Sequence, residues 1–324
     1  MATTRTPRTA VATLAGCLVV ALFAADAHAV RPGTWEDRAD APIRRNEASY
    51  VYVNGEFHLL GARKQHDVYD PATDTWSQEP PLPVRVKMVQ AVALDGKIYM
   101  IGGIRRWKVP TVESGLVQIY DTATDTWSRG KALPRARGAG GTAVHKGKIY
   151  YVGGIQDGRA VPWVHVYDPA TNRWRRLPDM PVGRDHFQAV VVRGALYAIG
   201  GRRYTFNALV NRVDRYSIKQ RRWRPKSLKK LPVPTAGYAV GRLGKWIVLF
   251  GGEGGGGVKA AVQGYNPKTN RWRRLKNMAT PRHGFQGAKC DGGVYLATGS
   301  DKQGNHATAV HDVFFLGAPQ PCVP

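Results

Sequence analysis

One nine-residue pattern recurs along the chain. Residues 166–174 read VYDPATNRW, and four other segments repeat this pattern with a Tyr seven positions before a Trp. The five pairs are Tyr69 and Trp76, Tyr120 and Trp127, Tyr167 and Trp174, Tyr216 and Trp223, and Tyr265 and Trp272. Such a repeat indicates one structural unit copied along the chain, with neighbouring copies packed against each other.

A glycine doublet precedes each copy of this pattern. Four apolar segments end in Gly-Gly, at residues 102–103, 153–154, 200–201 and 251–252, and weaker versions end at 61–62 and 298–299. The chain therefore contains six units of roughly 40 to 50 residues, which is the period of a propeller blade.

Four strands can be read within each unit. A strand of small apolar residues is followed by a Gly hairpin, the doublet strand, a variable loop, the Tyr strand, a polar turn and the Trp strand. Small residues suit the first strand, because innermost strands converge on the propeller axis. The pattern predicts an all-β, six-bladed β-propeller of four-stranded antiparallel blades.

The pattern predicts that the two ends of the chain complete one blade, because each supplies a half-unit. Trp35 has no Tyr strand before it, and the strand within residues 309–317 has no Trp strand after it. We predict that the N-terminal strand pairs with the last blade and closes the ring, which removes its free edges.

These motifs resemble the kelch-repeat family, in its exported bacterial type. Kelch blades carry a glycine doublet followed by a spaced Tyr and Trp, and the resemblance covers residues 30–316. The first and last doublets depart from the family pattern. The resemblance implies a propeller that acts as a binding or interaction protein.

The N-terminus has the features of an export signal. Arg5 and Arg8 precede an apolar run over residues 11–25, and small residues at 27–29 fit a cleavage site. We expect a signal peptide at residues 1–29, a kelch propeller at 30–324 without a transmembrane span, and a periplasmic or secreted protein. Residues 14–17, LAGC, leave lipoprotein anchoring as an alternative.

Two cysteines, Cys290 and Cys322, follow the leader. Export places them where disulfides persist. Cys290 ends the first strand of the last blade and Cys322 follows its third strand, and these two strand ends lie on one face of a meander. We predict a disulfide between them.

The formal net charge of +25 is unusual. Such a surface attracts anions, so we expect an acidic glycan, a cell-envelope polyanion or an acidic protein as partner. No nucleic-acid-binding motif accompanies the charge, and no nucleic acid partner or cofactor is expected. We expect a monomer.

Arginines recur ahead of the first strands. Four of them, Arg45, Arg137, Arg184 and Arg282, lie sixteen positions before the first residue of their doublet, and Arg85 is one position out of step. We expect the five to surround one mouth of the central channel. They either bind a carboxylate, sulfate or phosphate, or hold backbone carbonyls as part of the repeat.

The loops after the doublets lie on the same predicted face. Arg106, Trp107, Arg203 and Tyr204 are their candidate ligand-binding residues, with the aromatic rings as stacking platforms. This face is our prediction for the binding site.

Enzymatic relatives give weaker alternatives. The family includes copper-radical oxidases, but the sequence offers no fitting Tyr, His and Cys set, and no metal site is predicted. It also resembles the periplasmic sialic-acid mutarotase, whose acid-base glutamate follows a glycine, as Glu253 does here. The sequence thus favours a binding protein over an enzyme, with a mutarotase or epimerase of acidic sugars as the alternative.

Overall fold

The computed structural model describes residues 1, 32–106, 111–224, 226–304, 306–320 and 322. The predicted leader lies outside these residues except for Met1. Arg31–Pro324 forms one compact unit, separate from Met1–Val30. Within the described ranges, no helix has the length and hydropathy needed to cross a membrane.

Six four-stranded antiparallel sheets form the blades of a β-propeller. Among the described residues the first strand is β1 (Thr34–Asp37), which belongs to blade 6. Blade 1 contains β2 (Ser49–Val53), β3 (Glu56–Leu60), β4 (His66–Asp70) and β5 (Thr75–Glu79). Blade 2 contains β6 (Ala91–Leu94), β7 (Lys97–Ile101), the short pair β8 (Ile104–Arg106) and β9 (Val112–Glu113), β10 (Val117–Asp121) and β11 (Thr126–Gly130).

The remaining blades follow the same order. Blade 3 contains β12 (Gly141–His145), β13 (Lys148–Val152), the short pair β14 (Ile155–Gln156) and β15 (Arg159–Ala160), β16 (Val164–Asp168) and β17 (Arg173–Leu177). Blade 4 contains β18 (Ala189–Val192), β19 (Ala195–Ile199), β20 (Val213–Ser217) and β21 (Arg222–Trp223). Blade 5 contains β22 (Ala239–Leu243), β23 (Trp246–Phe250), β24 (Val262–Asn266) and β25 (Arg271–Leu275). Blade 6 contains β26 (Gly287–Cys290), β27 (Gly293–Ala297), β28 (His311–Phe315) and β1.

The predicted closure is confirmed. Strand β1 pairs antiparallel with β28, with Trp35 opposite Phe314, as Trp76 is opposite Tyr69 in blade 1. Phe314 therefore takes the place of the repeated tyrosine in blade 6. Pairing the N-terminal strand with the last blade covers an edge that would otherwise be free.

The repeated tryptophans join each blade to the preceding one. The indole N–H of all six donates to a backbone carbonyl that follows the outer strand of the preceding blade. In blade 3, for example, Trp174 donates to Lys131 at 2.7 Å. A large apolar ring with one donor suits this junction, because it packs between blades and satisfies a carbonyl there.

A ring of backbone hydrogen bonds surrounds the axis. In each blade, a residue two or three positions before the first strand has a positive φ. Its backbone N–H donates to the backbone carbonyl of the equivalent residue in the preceding blade. The six residues are Glu47, Met88, Ala139, His186, Gly237 and Gly284. Their six bonds span 2.5–3.2 Å and close on themselves.

Below this ring the channel is narrow. Gln90, Gln188 and Gln286 come from alternate blades, and the side-chain amide of each donates across the axis to a backbone carbonyl two blades away. A cavity of about 30 Å³ remains between the glutamines and the ring. It is about the size of one water molecule, so there is no room for a larger ligand between the glutamines and the ring.

The predicted cysteine pair meets in blade 6. The Cα atoms of Cys290 and Cys322 are 5.5 Å apart and their sulfur atoms lie within bonding distance, so a disulfide is possible. Both residues are buried.

Candidate functional site

Four of the five predicted arginines are buried inside the blades. Arg45 is 1% exposed, and Arg137, Arg184 and Arg282 are fully buried. Each follows the outer strand of one blade and turns back into the next blade, where its guanidinium group reaches the third strand.

Each buried guanidinium group has a partner at the second position of that third strand. The partners are Asp67 for Arg45, His165 for Arg137, Asp214 for Arg184 and Asp312 for Arg282, at 2.7 Å in the last case. Blades 2 and 5 have no arginine there, and Gln118 and Gln263 occupy the partner position. These glutamines bond instead to the backbone of Val84 and Val233. The buried arginine and its partner therefore have a structural role, which a glutamine bonded to the backbone fills in blades 2 and 5.

The same arginines bind backbone groups between blades. Arg45 donates to Leu59 and Gln65, and Arg137 donates to Gly153 at 2.8 Å. Their carbonyls accept from the second doublet residue of the preceding blade, as Arg184 does from Gly154 at 2.9 Å. A Cβ atom on Gly153 would lie 2.6 Å from the Arg184 carbonyl, which explains the glycine.

Burial changes the titration of these groups. Desolvation lowers the pKa of Arg137 to about 10 and the pKa of His165 to about 4, and the positive charge of Arg137 lowers the pKa of His165 further. Arg137 Nη2 donates to Nδ1 of His165 at 3.0 Å, so the neutral imidazole carries its proton on Nε2.

The expected ring of free guanidinium groups is therefore corrected. Arg45, Arg137, Arg184 and Arg282 already have partners within the protein, and three of them are neutralised by carboxylates. Arg85 is exposed and donates to the carbonyl of Ala62 at 2.8 Å. Of the two readings of the repeated arginine, the geometry supports the structural one.

A different polar cluster lies at the mouth of the channel, on the predicted face. In blades 2 to 6 the position after the doublet pairs with the residue just before the axial ring, as Arg202 does with Asp185 and Glu253 with Ala236. Blades 4 to 6 contribute polar residues at or beside these positions, and we call five of them the mouth cluster. Its members are Asp185, His186, Arg202, Glu253 and His283.

The mouth cluster is a connected set of polar side chains. Arg202 Nη1 donates to Glu253 Oε1 at 2.7 Å, and its Nη2 lies 3.1 Å from Nε2 of His186. Nδ1 of His186 lies 2.5 Å from Oδ1 of Asp185. All five residues are at most 5% exposed. Buried charges of this kind are stable only when paired, and each one here has an oppositely charged or hydrogen-bonding neighbour.

Part of the hydrogen-bonding capacity of the cluster is unused. Glu253 Oε2, His283 Nδ1 and Arg202 Nε have no hydrogen-bond partner among the described residues. His283 Nδ1 lies 3.4 Å from Glu253 Oε1 without hydrogen-bond geometry, while its Nε2 lies 3.0 Å from the Lys302 carbonyl. Unpaired buried polar atoms are uncommon in proteins, and they cluster at functional sites.

An aromatic loop of blade 4 stands beside the cluster. Tyr204 is 41% and Phe206 is 40% exposed, and the guanidinium carbon of Arg202 lies 4.4 Å from the Phe206 ring centre. The backbone N–H of Tyr204 donates to Asp185 Oδ2 at 2.6 Å, which anchors the loop. Arg203 and Arg106 are exposed, and the predicted Trp107 lies outside the described residues.

Sequence reasoning found part of this site. Glu253 and Tyr204 were singled out, and both lie at the mouth. Asp185, His186 and His283 are not among the residues that the sequence predicted for the site. Their signal is positional, because each lies on or next to the residue of its blade that forms the axial ring.

The described residues contain one group with the spacing of metal ligands, formed by Cys290, Asp291 and Cys322. The two sulfur atoms of this group lie at bonding distance from each other. A disulfide would leave neither thiolate available to a metal ion.

Family comparisons agree with the fold. The KLHDC2/KLHL20/DRC7 Kelch-repeats domain matches residues 40–201, and two Kelch motifs match residues 183–227 and 234–279.

Curated relatives carry the same repeat. Kelch-like protein terF of Aspergillus terreus is 28% identical over 302 residues, covering 87% of this chain and 55% of that protein. Kelch-like protein 35 of Mus musculus is 29% identical over 128 residues, covering 37% of this chain and 21% of that protein. The chain thus spans about half the length of the first relative and less of the second.

A solved structure shares the architecture. The chain in "Structure of YjhT" superposes with a TM-score of 0.74 at 16% identity, covering 85% of this chain and 96% of that one. At this identity the likeness concerns the fold alone. With the matched domain covering half of the sequence, the chain belongs to the kelch-repeat family of β-propellers, a scaffold for binding proteins or other ligands.

Proposed function

We propose that the protein binds a small acidic carbohydrate at the mouth cluster. The observation that carries this proposal is the set of buried polar atoms of Glu253, His283 and Arg202 that have no hydrogen-bond partner among the described residues, beside two exposed aromatic rings. Sugar hydroxyls both donate and accept hydrogen bonds, so they can satisfy these atoms. Exposed aromatic rings accept the apolar face of a sugar.

The charge of the surroundings favours an acidic ligand over a neutral one. Arg203 is exposed on the loop that carries Tyr204, and Lys259 follows Glu253 in the loop of blade 5. The net charge of +25 adds long-range attraction. A carboxylate on the ligand would interact with these rim cations while its hydroxyl groups reach the cluster.

Titration calorimetry with sialic acid, glucuronate and glucose tests this proposal. We expect the two acidic sugars to bind more tightly than glucose, with affinity falling as salt rises. Arg203→Ala should weaken binding about tenfold, as expected for a lost charged hydrogen bond. Arg129→Ala removes an exposed cation from β11 and should leave affinity unchanged. Equal binding of glucose, or equal effects of both variants, would exclude this site.

A second candidate function is interconversion of sugar anomers. Glu253 lies between Arg202 and His283, and one of its oxygens is unpaired. As a general base it would take the proton of the anomeric hydroxyl while an acid protonates the ring oxygen. The ring C–O bond then breaks, and reclosure on the other face gives the other anomer.

Glu253→Gln separates the two functions. If Glu253 is catalytic, this variant should lose anomer interconversion, followed by NMR, and keep binding within a few-fold. Undetectable turnover in the native protein would exclude catalysis and leave the binding proposal intact.

We propose further that the protein is exported, on the basis of the sequence pattern at residues 1–29. Mass spectrometry of the protein recovered outside the cytoplasm should give an N-terminus at Val30. Palmitate labelling of Cys17 would indicate the lipoprotein alternative, and an intact N-terminus in the cytoplasm would contradict export.

A further inference from the structure

Blades 4 and 5 carry unbalanced positive charge. Residues 189–275 span these blades and contain 19 Lys and Arg but two acidic residues, Asp214 and Glu253. Both acids are 1% exposed and are paired with arginines inside the protein. The surface of this sector therefore has no acidic side chain of its own to neutralise its cations.

The turn between the third and fourth strands contributes to this charge imbalance, because it carries an acidic residue in blades 1 to 3 but not in blades 4 and 5. In blades 1 to 3 this turn starts with Asp70, Asp121 and Asp168, and two of these aspartates pair with a lysine on the adjacent strand. Blade 4 has Ser217 at this position and blade 5 has Asn266. The fold is preserved in all five blades, so the loss of the acid changes the surface and leaves the architecture intact.

Two grooves at equivalent positions open along this sector. The first, about 620 Å³, lies between blades 3 and 4, and the second, about 640 Å³, lies between blades 4 and 5. Lys146, Arg175, Lys219 and Arg221 line the first groove, together with the paired Lys148. Arg193, Arg215, Arg224, Arg242, Lys245 and Lys268 line the second. Among the described residues, neither lining includes an acid.

Tyr216, which lines the first groove, has a buried hydroxyl without a hydrogen-bond partner among the described residues. In four blades the repeated tyrosine donates to an Asp or Asn five positions later, as Tyr167 does to Asn172 at 2.6 Å. In blade 4 that position is Arg221, which cannot accept a hydrogen bond. Tyr216 is 1% exposed, and its Oη has no partner within the part of the chain that is described. A bound molecule in the groove would supply the missing acceptor.

We propose that the two grooves form a second binding surface, which takes a linear glycan bearing carboxylate or sulfate groups. Arginine forks bind these planar or tetrahedral anions bidentately. Trp246 lies in the second groove and is partly exposed, so a sugar ring can pack against it. A repeating acidic chain matches two like grooves separated by one blade.

The chemistry of the grooves argues against nucleic acid as the occupant. Binding of single strands relies on exposed aromatic rings on which bases stack. Among the described residues, the well-exposed aromatic side chains are Tyr204 and Phe206, and both lie at the mouth cluster. The grooves thus offer cations without a set of stacking platforms.

Binding of a defined oligogalacturonate, measured by calorimetry between about 50 and 200 mM salt, tests the proposal. The triple variant Arg193→Ala, Arg242→Ala and Lys245→Ala removes three groove cations. It should weaken binding at least about tenfold, because three charged contacts are lost. The matched control replaces Arg44, Arg129 and Lys131 by Ala. These cations are exposed and line neither groove, so affinity should change less than about twofold.

Tyr216→Phe tests the first groove with little risk to folding. Its hydroxyl has no partner among described residues, so the melting temperature should not fall, whereas oligogalacturonate affinity should drop a few-fold. Tyr167→Phe removes the hydrogen bond to Asn172, so its melting temperature should fall while its oligogalacturonate affinity should stay unchanged. An unchanged affinity in Tyr216→Phe would overturn the role of this groove.

Two further results would overturn the proposal. If the groove triple variant and the control triple variant lose oligogalacturonate affinity equally, the binding is diffuse attraction to the net positive charge. Competition by a DNA duplex at equal affinity would mean a surface for polyanions without preference for glycans. Arg203→Ala, which should weaken binding of small acidic sugars at the mouth about tenfold, should change oligogalacturonate affinity by less than about twofold, so failure of the groove proposal is distinguishable from failure of the proposed function.

Discussion

The backbone N–H of Glu47 in blade 1 donates to the backbone carbonyl of Gly284 in blade 6 at 2.5 Å. This bond completes the axial ring of six, while pairing of β1 with β28 completes the outer edge of blade 6. The first and last blades are therefore joined both at the axis and at the rim, and we expect the propeller to unfold as one cooperative unit.

Trp35 should stabilise the closure at the rim. Its ring centre lies 4.9 Å from that of Phe314 and 5.9 Å from that of Phe250, and its indole N–H donates to the Lys276 carbonyl. Trp35→Ala should lower the free energy of unfolding by about 2 to 4 kcal/mol, measured by urea denaturation. Trp35→Phe keeps most of the packing and should lose about 1 kcal/mol. A native-like denaturation curve for Trp35→Ala would contradict closure by β1.

Arg184 should be a structural residue. It is fully buried and paired with Asp214. Arg184→Ala leaves this carboxylate with Arg212 as its remaining cation, and it should lower the free energy of unfolding by about 3 to 5 kcal/mol. Arg85→Ala, at the out-of-step position, removes an exposed side chain and should change stability by less than about 0.5 kcal/mol. Equal effects of the two substitutions would contradict the structural assignment.

The buried histidines should make the protein sensitive to acid. Desolvation lowers the pKa of His311 to about 3 and that of His165 to about 4. As pH falls below about 6.5, the unfolded chain binds protons that the folded protein excludes, so stability is lost on acidification. Each histidine should cost on the order of 2 kcal/mol between about pH 7.5 and pH 5.

Urea denaturation at the two pH values measures this loss. His311→Gln should reduce the pH dependence, although it also loses the contact with Tyr50. A stability that rises on acidification would contradict the assignment.

The cysteine pair should contribute to the last blade. Cys290 and Cys322 enclose a loop with a sequence separation of 32. If they are bonded, Cys322→Ser should lower the free energy of unfolding by roughly 3 to 4 kcal/mol. Thiol titration of the denatured, unreduced mature protein should then find no free thiol. Two titratable thiols would show that the bridge does not form.

The periodic features were predictable from the sequence because they repeat local geometry. The Tyr–Trp pairs lie opposite each other on adjacent strands, as Tyr167 and Trp174 do, and the hairpin between them fixes that register. Closure was also predictable, since Trp35 and the strand before residue 316 are complementary halves of one blade.

The candidate site was predictable only in part. The sequence placed the repeated arginines and the doublet loops on one face, but it did not reveal the carboxylates that bind Arg45, Arg184 and Arg282. Each partner lies 22 to 30 positions away, at one position of the third strand. Strand alternation gives the side on which a residue lies, but it does not give the depth to which a long side chain is buried.

The sequence alone thus determined the number of blades, their strand order and the way the ring closes, because these follow from repeated short-range hydrogen bonding and burial. The tertiary structure decided which polar groups remain available to a ligand. Arg202, Glu253 and His283 come from three blades and meet only because the closed ring brings their strands to one axis. Burial inside the blades, in turn, took the four repeated arginines out of reach of solvent.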